Sequence, residues 1–353
     1  MTLQPRIPGL RLLARAATGL TYPLAPADYL LPFTQGSARI EAVTKPAPGV
    51  VTLTLRPRQR LVHRAGQFVR VGVDIDGVRH TRCYSVSSPP ERTDGRFTIT
   101  VKAIAGGRVS TYLAERVEVG ERLWVDAPSG DFVLPEMLPE RLLFIAAGSG
   151  ITPIMSMLAS LDARAAMPDV VLIHAASTEP DLIFAAELAA LAARHPSLHL
   201  HRVLSRDGGR LTRERLAALC PDWSQRETWA CGPEGLLAWL EDHWQGAGVG
   251  ARLHVERFRP RWTSNLSGEA GRVSFRRSGC VVPSRGDRSV LELAEASGLA
   301  PAHGCRMGIC HGCTATLKSG RVRDLRNGQT FGDEGDRVQI CVCAPVGDVE
   351  IEL

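Results

Sequence analysis

Four cysteines toward the carboxyl end of the 353-residue chain carry the most specific chemistry. Cys305, Cys310 and Cys313 share one short loop, Cys305-Arg-Met-Gly-Ile-Cys310-His-Gly-Cys313, and Cys341 follows after twenty-seven further residues. Thiolates in such an array hold iron in iron–sulfur clusters or zinc in structural sites. Structural zinc favours paired C-x2-C knuckles, whereas this chain presents one C-x4-C-x2-C run, which four unrelated buried cysteines would not produce. Gly304, Gly308 and Gly312 let the loop adopt unusual dihedrals and turn N–H groups toward sulfur. Cys341-Val342-Cys343 offers two candidates for the fourth ligand. Of nine cysteines, an odd count, five fall between Cys305 and Cys343. That clustering argues against a secreted disulfide framework and for a metal centre in a reducing, cytoplasmic compartment.

Other residues are suited to anionic and planar ligands. Arg82-Cys83-Tyr84-Ser85 places a cation, an aromatic ring and a hydroxyl within four positions. It can neutralise a phosphate, pack on a flat ring system and bond its polar edge, or simply form a surface strand with a cross-strand arginine. Gly106-Gly107-Arg108-Val109-Ser110 offers backbone N–H groups, Ser110 and Thr111 to an anion. Ala147-Gly148-Ser149-Gly150-Ile151-Thr152-Pro153 runs from an apolar strand into a helix, where phosphates meet a helix N-terminus or where a tight turn suffices. Cys231-Gly232-Pro233 ends a later strand, and Ser205-Arg206 ends another. Arginine there suits a ribose 2′-phosphate through bidentate contacts, although a polar turn before Asp207-Gly208-Gly209 needs the same residues.

The elements that position these residues fall into three stretches. From Ser37 to about Pro135, short alternating runs such as Val50–Leu55, Phe68–Val73 and Phe97–Val101 are separated by Gly and Pro, which predicts an antiparallel barrel. From Arg141, apolar strands at Leu142–Ala147, Val170–Ala175, Leu198–Leu204, Thr228–Cys231 and Leu253–Val255 alternate with helices at Pro153–Ala165, Asp181–Arg194, Thr212–Leu219 and Pro233–Trp244. Such alternation predicts a doubly wound parallel sheet. Thr152 is the expected N-cap of the first helix, with Pro153 at its first position, and Thr178-Glu179-Pro180-Asp181 resembles a capping box. A polar stretch from Phe258 to Gly271 reads as a linker, and strands at Arg272–Phe275 and Val349–Ile351 frame the last unit. The expected divisions are an arm at 1–36, a barrel at 37–135, an α/β unit at 136–260, a linker at 261–271 and an α+β unit at 272–353.

The cysteine spacing resembles the plant-type [2Fe–2S] ferredoxin pattern. The remaining motifs resemble, in order, the R-x-Y-[ST] flavin motif, the phosphate turn, the C-G-P motif beside the nicotinamide and the E-x-F ending (here Glu256-Arg257-Phe258) of the ferredoxin–NADP reductase superfamily. The resemblance spans Ser37 to Leu353. It implies a flavin barrel, an NAD(P)H-binding α/β domain and a β-grasp-like ferredoxin domain. FAD, preferred to FMN for its pyrophosphate, would then contact Arg82, Tyr84, Ser85, Gly107, Ser110 and Thr111. NADPH, preferred to NADH through Ser205 and Arg206, would contact Gly148, Gly150, Thr152, Cys231, Gly232, Pro233 and Phe258. Tyr84, Ser85 and Cys231 would flank the hydride transfer, and Cys305, Cys310, Cys313 and Cys341 would ligate the cluster. Cys341, which precedes a short run ending in Pro345, matches the family's fourth ligand; Cys343 would be a neighbouring buried thiol.

The tail, with Met307-Gly308-Ile309-Cys310-His311 and Gly320–Leu325, resembles bacterial reductases that feed membrane fatty-acid desaturases. A reductase for a ring-hydroxylating or other oxygenase, a redox-sensing module and a direct small-molecule reductase are the competing readings. The net charge of +5 is spread along the chain, which gives nucleic-acid binding no support. No apolar run reaches the ~20 residues of a membrane helix, so membrane contact is expected to be peripheral. The first 27 residues carry Arg6, Arg11 and Arg15 and no acidic residue, as transit peptides do, but Pro5 and Pro8 interrupt any amphipathic helix. Tyr22, Tyr29, Leu30, Leu31 and Phe33 suggest instead an arm that docks on another surface.

Overall fold

A computed structural model describes residues 36–258, 268–304, 306–308 and 311–353. The N-terminal arm, most of the expected linker, and Cys305 and Cys310 lie outside the described residues. Gly271, expected to close the linker, opens a strand.

Strands β1 (Ser37–Ala47), β2 (Val50–Pro57), β3 (Phe68–Ile75), β4 (Val78–Ser85), β5 (Phe97–Lys102) and β6 (Arg122–Val125) form an antiparallel sheet in the order β4-β3-β6-β1-β2-β5. A bridge between Val86 and Ile99 brings the end of β4 onto β5 and closes the sheet into a barrel. Alternation drives the curl: Val51, Leu53 and Leu55 of β2, Val69 and Val71 of β3, and Ile99 and Val101 of β5 share one interior. The Arg108–Glu115 helix caps that interior through Val109 and Leu113.

The second sheet is parallel, in the order β11-β10-β7-β8-β9, from β7 (Arg141–Ala147), β8 (Asp169–Ala176), β9 (Leu198–Leu204), β10 (Glu227–Cys231) and β11 (Leu253–Glu256). Helices cover both faces, so β7 is buried along nearly its whole length. Leu142 and Phe144 face the Ile151–Ala163 helix side. Leu143 and Ile145 face Leu216, Leu237 and Trp244 on the other side. The first core also takes in Val50, Ala65 and Phe132, so the barrel and the α/β unit share buried apolar surface.

Two helix starts depart from expectation. The first helix begins at Ile151, with Gly150 at the N-cap position, and Thr152 lies inside it; its Oγ1 donates to the Ser149 carbonyl at 2.9 Å. The tight Gly148–Gly150 turn starts the helical path early and leaves Thr152 no capping role. The Thr178/Asp181 capping box forms, but it opens a short 3-10 turn, Glu179–Asp181, and the α-helix waits until Ala185. Phe184 intervenes in the left-handed region, φ 63°, which breaks the helix that periodicity alone extends back to Asp181.

The last unit pairs β12 (Gly271–Phe275) with β13 (Cys280–Ser284) and with β17 (Cys343–Ile351), which continues onto β14 (Thr314–Asp324); β15 (Thr330–Phe331) and β16 (Arg337–Gln339) also pair with β14. The Val290–Ala296 helix, capped reciprocally by Ser289 and Glu292, packs Val290, Leu293 and Ala294 into this sheet's core.

Candidate functional site

In the parallel sheet the chain runs from β7 outward to β9 and then returns to β10 on β7's other side. The carboxyl ends of β7 and β10 therefore flank a topological switch point, where open α/β sheets bind ligands. The register sets Cys231 beside Ala146 on one flank and beside Glu256 on the other. Gly150 packs directly on this strand end: a Cβ there would lie 2.1 Å from the Cys231 carbonyl oxygen. A Cβ on Gly232 would meet the Ala147 Cβ at 3.0 Å. Two motifs far apart in the chain thus meet through glycine contacts. The helix starting at Ile151 has no side-chain cap and no acidic residue in its first turn, which suits a phosphate. Pro233 occupies the N-cap position of the Glu234–Gly246 helix beside it, with no side-chain cap.

Ser205 and Arg206 follow β9, with their N–H groups bonded to the Ala176 and Ser177 carbonyls at 2.9 and 3.1 Å. These bonds fix the backbone at the sheet's carboxyl edge while the Arg206 side chain stays exposed. Phe258 stands just past β11 and is 40% exposed, unusual for a large apolar ring and fitting for one that covers a planar ligand. Arg257 anchors this segment by ion pairs to Glu234 at 3.0 Å and Glu241 at 2.7 Å.

On the barrel, Tyr84 and Ser85 sit on β4 opposite Val69 and Phe68. Burial pushes the Tyr84 hydroxyl above its usual range, with the Arg82 cation opposing the shift. Arg82 donates to the Thr81 carbonyl at 2.8 Å and, across to the last unit, to the Gly304 carbonyl at 3.2 Å. The flavin-type motif thus touches the residue next to Cys305. The chain after β4 is tied to the α/β unit by Ser156, whose hydroxyl donates to the Ser88 carbonyl at 2.7 Å, and by Ser160, which donates to Glu91 at 2.7 Å.

Gly107 is the uncapped N-cap of the Arg108–Glu115 helix, which also lacks acidic residues in its first turn, so an anion fits there. Ser110 is largely committed to the turn itself: its Oγ accepts from the Ile104 N–H and donates to the Gly107 carbonyl, both at 3.3 Å. Thr111 is half-buried, with its N–H bonded to the Gly107 carbonyl at 3.0 Å.

Cys313 precedes β14, and Cys341 lies in the turn ahead of β17; both are buried in the last unit's core. The Ile340 N–H donates to the Cys313 carbonyl at 3.3 Å, which draws the two segments together. Cys343 opens β17 opposite Asp324 and is buried as well, its thiol pushed up to about 12 chiefly by burial. Arg306 and His311, at φ 59° and 53°, take the left-handed conformation, and the Arg306 guanidinium pairs with Glu295 and contacts His303. Soft donors in an apolar core, in a loop with unusual backbone dihedrals, fit an iron–sulfur cluster.

Residues 48–134 match the oxidoreductase FAD-binding domain family, residues 144–241 the oxidoreductase NAD-binding domain family and residues 275–346 the 2Fe-2S iron-sulfur cluster binding domain family. An NADPH oxidoreductase of Mycobacterium tuberculosis is 42% identical over 358 residues, covering 99% of this chain and 94% of that protein. The chain belongs to the ferredoxin–NADP reductase superfamily, in its form fused to a C-terminal ferredoxin domain. It is an NAD(P)H oxidoreductase whose domains bind FAD, a nicotinamide dinucleotide and a [2Fe–2S] cluster. The 3-ketosteroid-9-alpha-monooxygenase ferredoxin reductase component of Mycolicibacterium smegmatis is 34% identical over 82% of this chain and 86% of its own. The solved phthalate dioxygenase reductase shares the fold, with a TM-score of 0.64 at 22% identity over 90% of this chain and 97% of that one.

Glu256, at the end of β11 beside Cys231, is absent from the expected site residues. Burial, with the Asp131 charge adding to it, raises its carboxyl to about 7. The signal was in the chain: a carboxylate ending an apolar strand next to Arg257-Phe258. Its partner in register, Cys231, is fully buried and its thiol is held well above the usual value by that burial.

Proposed function

We propose that this reductase passes electrons from NADPH through FAD and the [2Fe–2S] cluster to a separate acceptor protein, a membrane fatty-acid desaturase. When bound, FAD takes a hydride's two electrons together and releases them singly, the exchange that lets a nicotinamide serve a one-electron cluster. The chain's own residues position and charge-balance this exchange. Uncapped helix N-termini at Gly107 and Gly150 receive the phosphates of FAD and NADPH. Tyr84 and Phe258 supply the aromatic surfaces, Ser85 a hydroxyl, and Cys231 a dry wall beside the reacting rings. With its carboxyl raised to about 7, Glu256 would take up and pass on the proton that a hydride-reduced flavin releases as its electrons leave. Cys305, Cys310, Cys313 and Cys341 hold the cluster, and Arg206 takes the 2′-phosphate.

The observation that carries the reading is Arg82 reaching Gly304: the flavin strand and the cluster loop are in hydrogen-bond contact. Relatives named as a glycine betaine monooxygenase reductase subunit and a ketosteroid monooxygenase reductase component support an acceptor on another chain. Their names favour a second reading, in which the acceptor is an oxygenase component. The tail's resemblance to desaturase reductases, in Met307–His311 and Gly320–Leu325, favours the desaturase. Among the described residues no helix is long and apolar enough to cross a membrane, so contact with a membrane enzyme is peripheral in this reading.

Reconstitution decides between them. Purified reductase, NADPH and a desaturase in lipid vesicles should form a double bond at a rate proportional to reductase. Turnover only with soluble oxygenase components, and none with desaturases, would remove the desaturase assignment.

A further inference from the structure

The carbonyl of Gly308 lies inside the cluster-binding loop, between Cys305 and Cys310, and two side chains from outside the loop grip it. Gln339 Nε2 donates to it at 2.8 Å and Arg326 Nη1 at 3.3 Å. Gln339 Nε2 also lies 3.2 Å from His311 Nδ1, so one amide ties both ends of the Gly308–His311 segment. Arg326 is itself held rigidly. Its Nε and Nη2 donate to the Asp324 carboxylate at 3.0 and 2.6 Å, and its backbone N–H donates to the same carboxylate at 2.8 Å. Asp324 is only 7% exposed, so this ion pair is built into the domain. Arg326 and Gly308 are in direct contact: a Cβ on Gly308, at φ +73°, would lie 2.4 Å from Arg326 Nη1 and 3.0 Å from Val342 Cγ2. The loop needs glycine there partly to admit the guanidinium.

We propose that Arg326 and Gln339 are positioning residues for the cluster, holding the loop's backbone in its ligating form and setting the cluster's reduction potential through the Arg326 charge. This rests on the assignment of the Cys305–Cys313 loop and Cys341 as ligands. A carbonyl oxygen carries partial negative charge and is repelled by anionic sulfur; two donors hold the Gly308 oxygen in place on the Arg326 side. The charge argument is separate. A [2Fe–2S] cluster with four thiolates is anionic when oxidised and gains a further negative charge on reduction, so a nearby cation stabilises the reduced form and raises the potential. The Arg326 guanidinium is within electrostatic range of Cys341 and Cys343. Asp324 balances its charge but binds the guanidinium edge formed by Nε and Nη2, leaving Nη1 toward the loop.

The test uses the full-length protein with its cluster assembled, comparing Arg326→Gln, Arg326→Lys, Gln339→Leu and an exposed control, Arg285→Gln. The readouts are iron and sulfide content, the electron paramagnetic resonance spectrum of the reduced cluster, its midpoint potential, and the rate of iron loss to a chelator. Arg326→Gln should lower the potential, shift the resonance spectrum and speed iron loss by about tenfold or more, the scale seen when groups supporting metal ligands are removed. Gln339→Leu should speed iron loss with a smaller change in potential. Arg326→Lys should restore most of the potential and little of the retention, because ammonium keeps the charge without the bidentate fit to Asp324. Arg285→Gln should match the wild type. If Arg326→Gln does not accumulate folded, the lysine and leucine variants decide: iron loss and potential unchanged in both would overturn the proposal. Zinc or no cluster in the wild type would instead overturn the ligand assignment, and this inference with it.

Discussion

Single residues here are tuned by what surrounds them more than by their type. Cys341 and Cys343 are both buried thiols, two positions apart, but Cys341 lies in the turn just after Ile340, whose N–H bonds the Cys313 carbonyl, whereas Cys343 is already committed to β17. Cys341→Ser should abolish the native cluster, with iron content and the visible absorption bands lost together, while Cys343→Ser should retain about two irons per chain, as a [2Fe–2S] formula requires. The reverse pattern would exchange their roles. Glu256 makes a prediction of opposite character, because its carboxyl is raised and not lowered. A carboxyl raised in the folded state binds its proton more tightly there than in the unfolded chain. Its stabilising contribution is therefore complete below the ordinary carboxylate range and is lost as pH rises through about 7. Between roughly pH 5 and 8 the wild type should lose thermal stability relative to Glu256→Gln, measured as the difference in Tm at each pH. A constant difference across that range would show that Glu256 is already ionised in the folded protein.

At the scale of elements, the chemistry collects at strand ends because a parallel sheet aligns them. The ends of β7, β10 and β11 bring Gly150, Cys231, Glu256 and Phe258 to one edge, and β9 presents Ser205 and Arg206 at the same edge. In the proposed function, distance along that edge separates the roles: the switch point takes the reacting rings, and β9 takes the far end of the dinucleotide. Arg206→Ala should therefore raise KM for NADPH and barely change KM for NADH, with kcat preserved. Loss of a charge-assisted contact corresponds to about 1.5–3 kcal/mol. Steady-state kinetics with both coenzymes checks this, and equal effects on the two would reduce Arg206 to a turn residue. The helix after β7 shows the limit of local signals. Thr152 and Pro153 have capping character, yet the glycine turn that packs against Cys231 starts the helix at Ile151.

The whole molecule divides its labour between a two-domain reductase and a ferredoxin unit. The barrel and the α/β unit share the apolar core around Val50, Phe132, Ile154 and Met157. Among the described residues, the core of the last unit, from Val273 to Ile351, is built only from that unit's own side chains. Removing that unit should therefore leave the other two folded. A chain ending after Arg261 should keep NADPH-dependent ferricyanide reduction near the full-length rate and lose cytochrome c reduction and delivery to the acceptor protein. Full cytochrome c activity in the truncated chain would place the electron exit at the flavin and not at the cluster.

Reading residues was enough for the chemistry that depends on spacing. A C-x4-C-x2-C run, a Gly-Ser-Gly between an apolar strand and a helix, and alternation with periods of two and 3.6 are local properties, so they are visible in one dimension. Leu198–Leu204 falls where periodicity puts it, because its edges coincide with a proline-bearing turn before and a polar turn after. What needed the folded chain were relations between distant segments. Cys231 is next to Gly150 because the chain reverses direction across the sheet; Glu256 is raised because the folded chain desolvates it beside Cys231 and sets the Asp131 charge near it; Arg82 touches Gly304 across 222 residues. Arg326 and Gln339 belong to the same class. Each is an ordinary polar residue in its own segment, and it acquires a role only because β16 pairs with the start of β14 while the Leu325 N–H bonds the Val342 carbonyl past the other end of β14, which brings both side chains to one carbonyl of the cluster loop. Burial and long-range hydrogen bonding are properties of the closed chain, and they set the charge and geometry on which its redox chemistry depends.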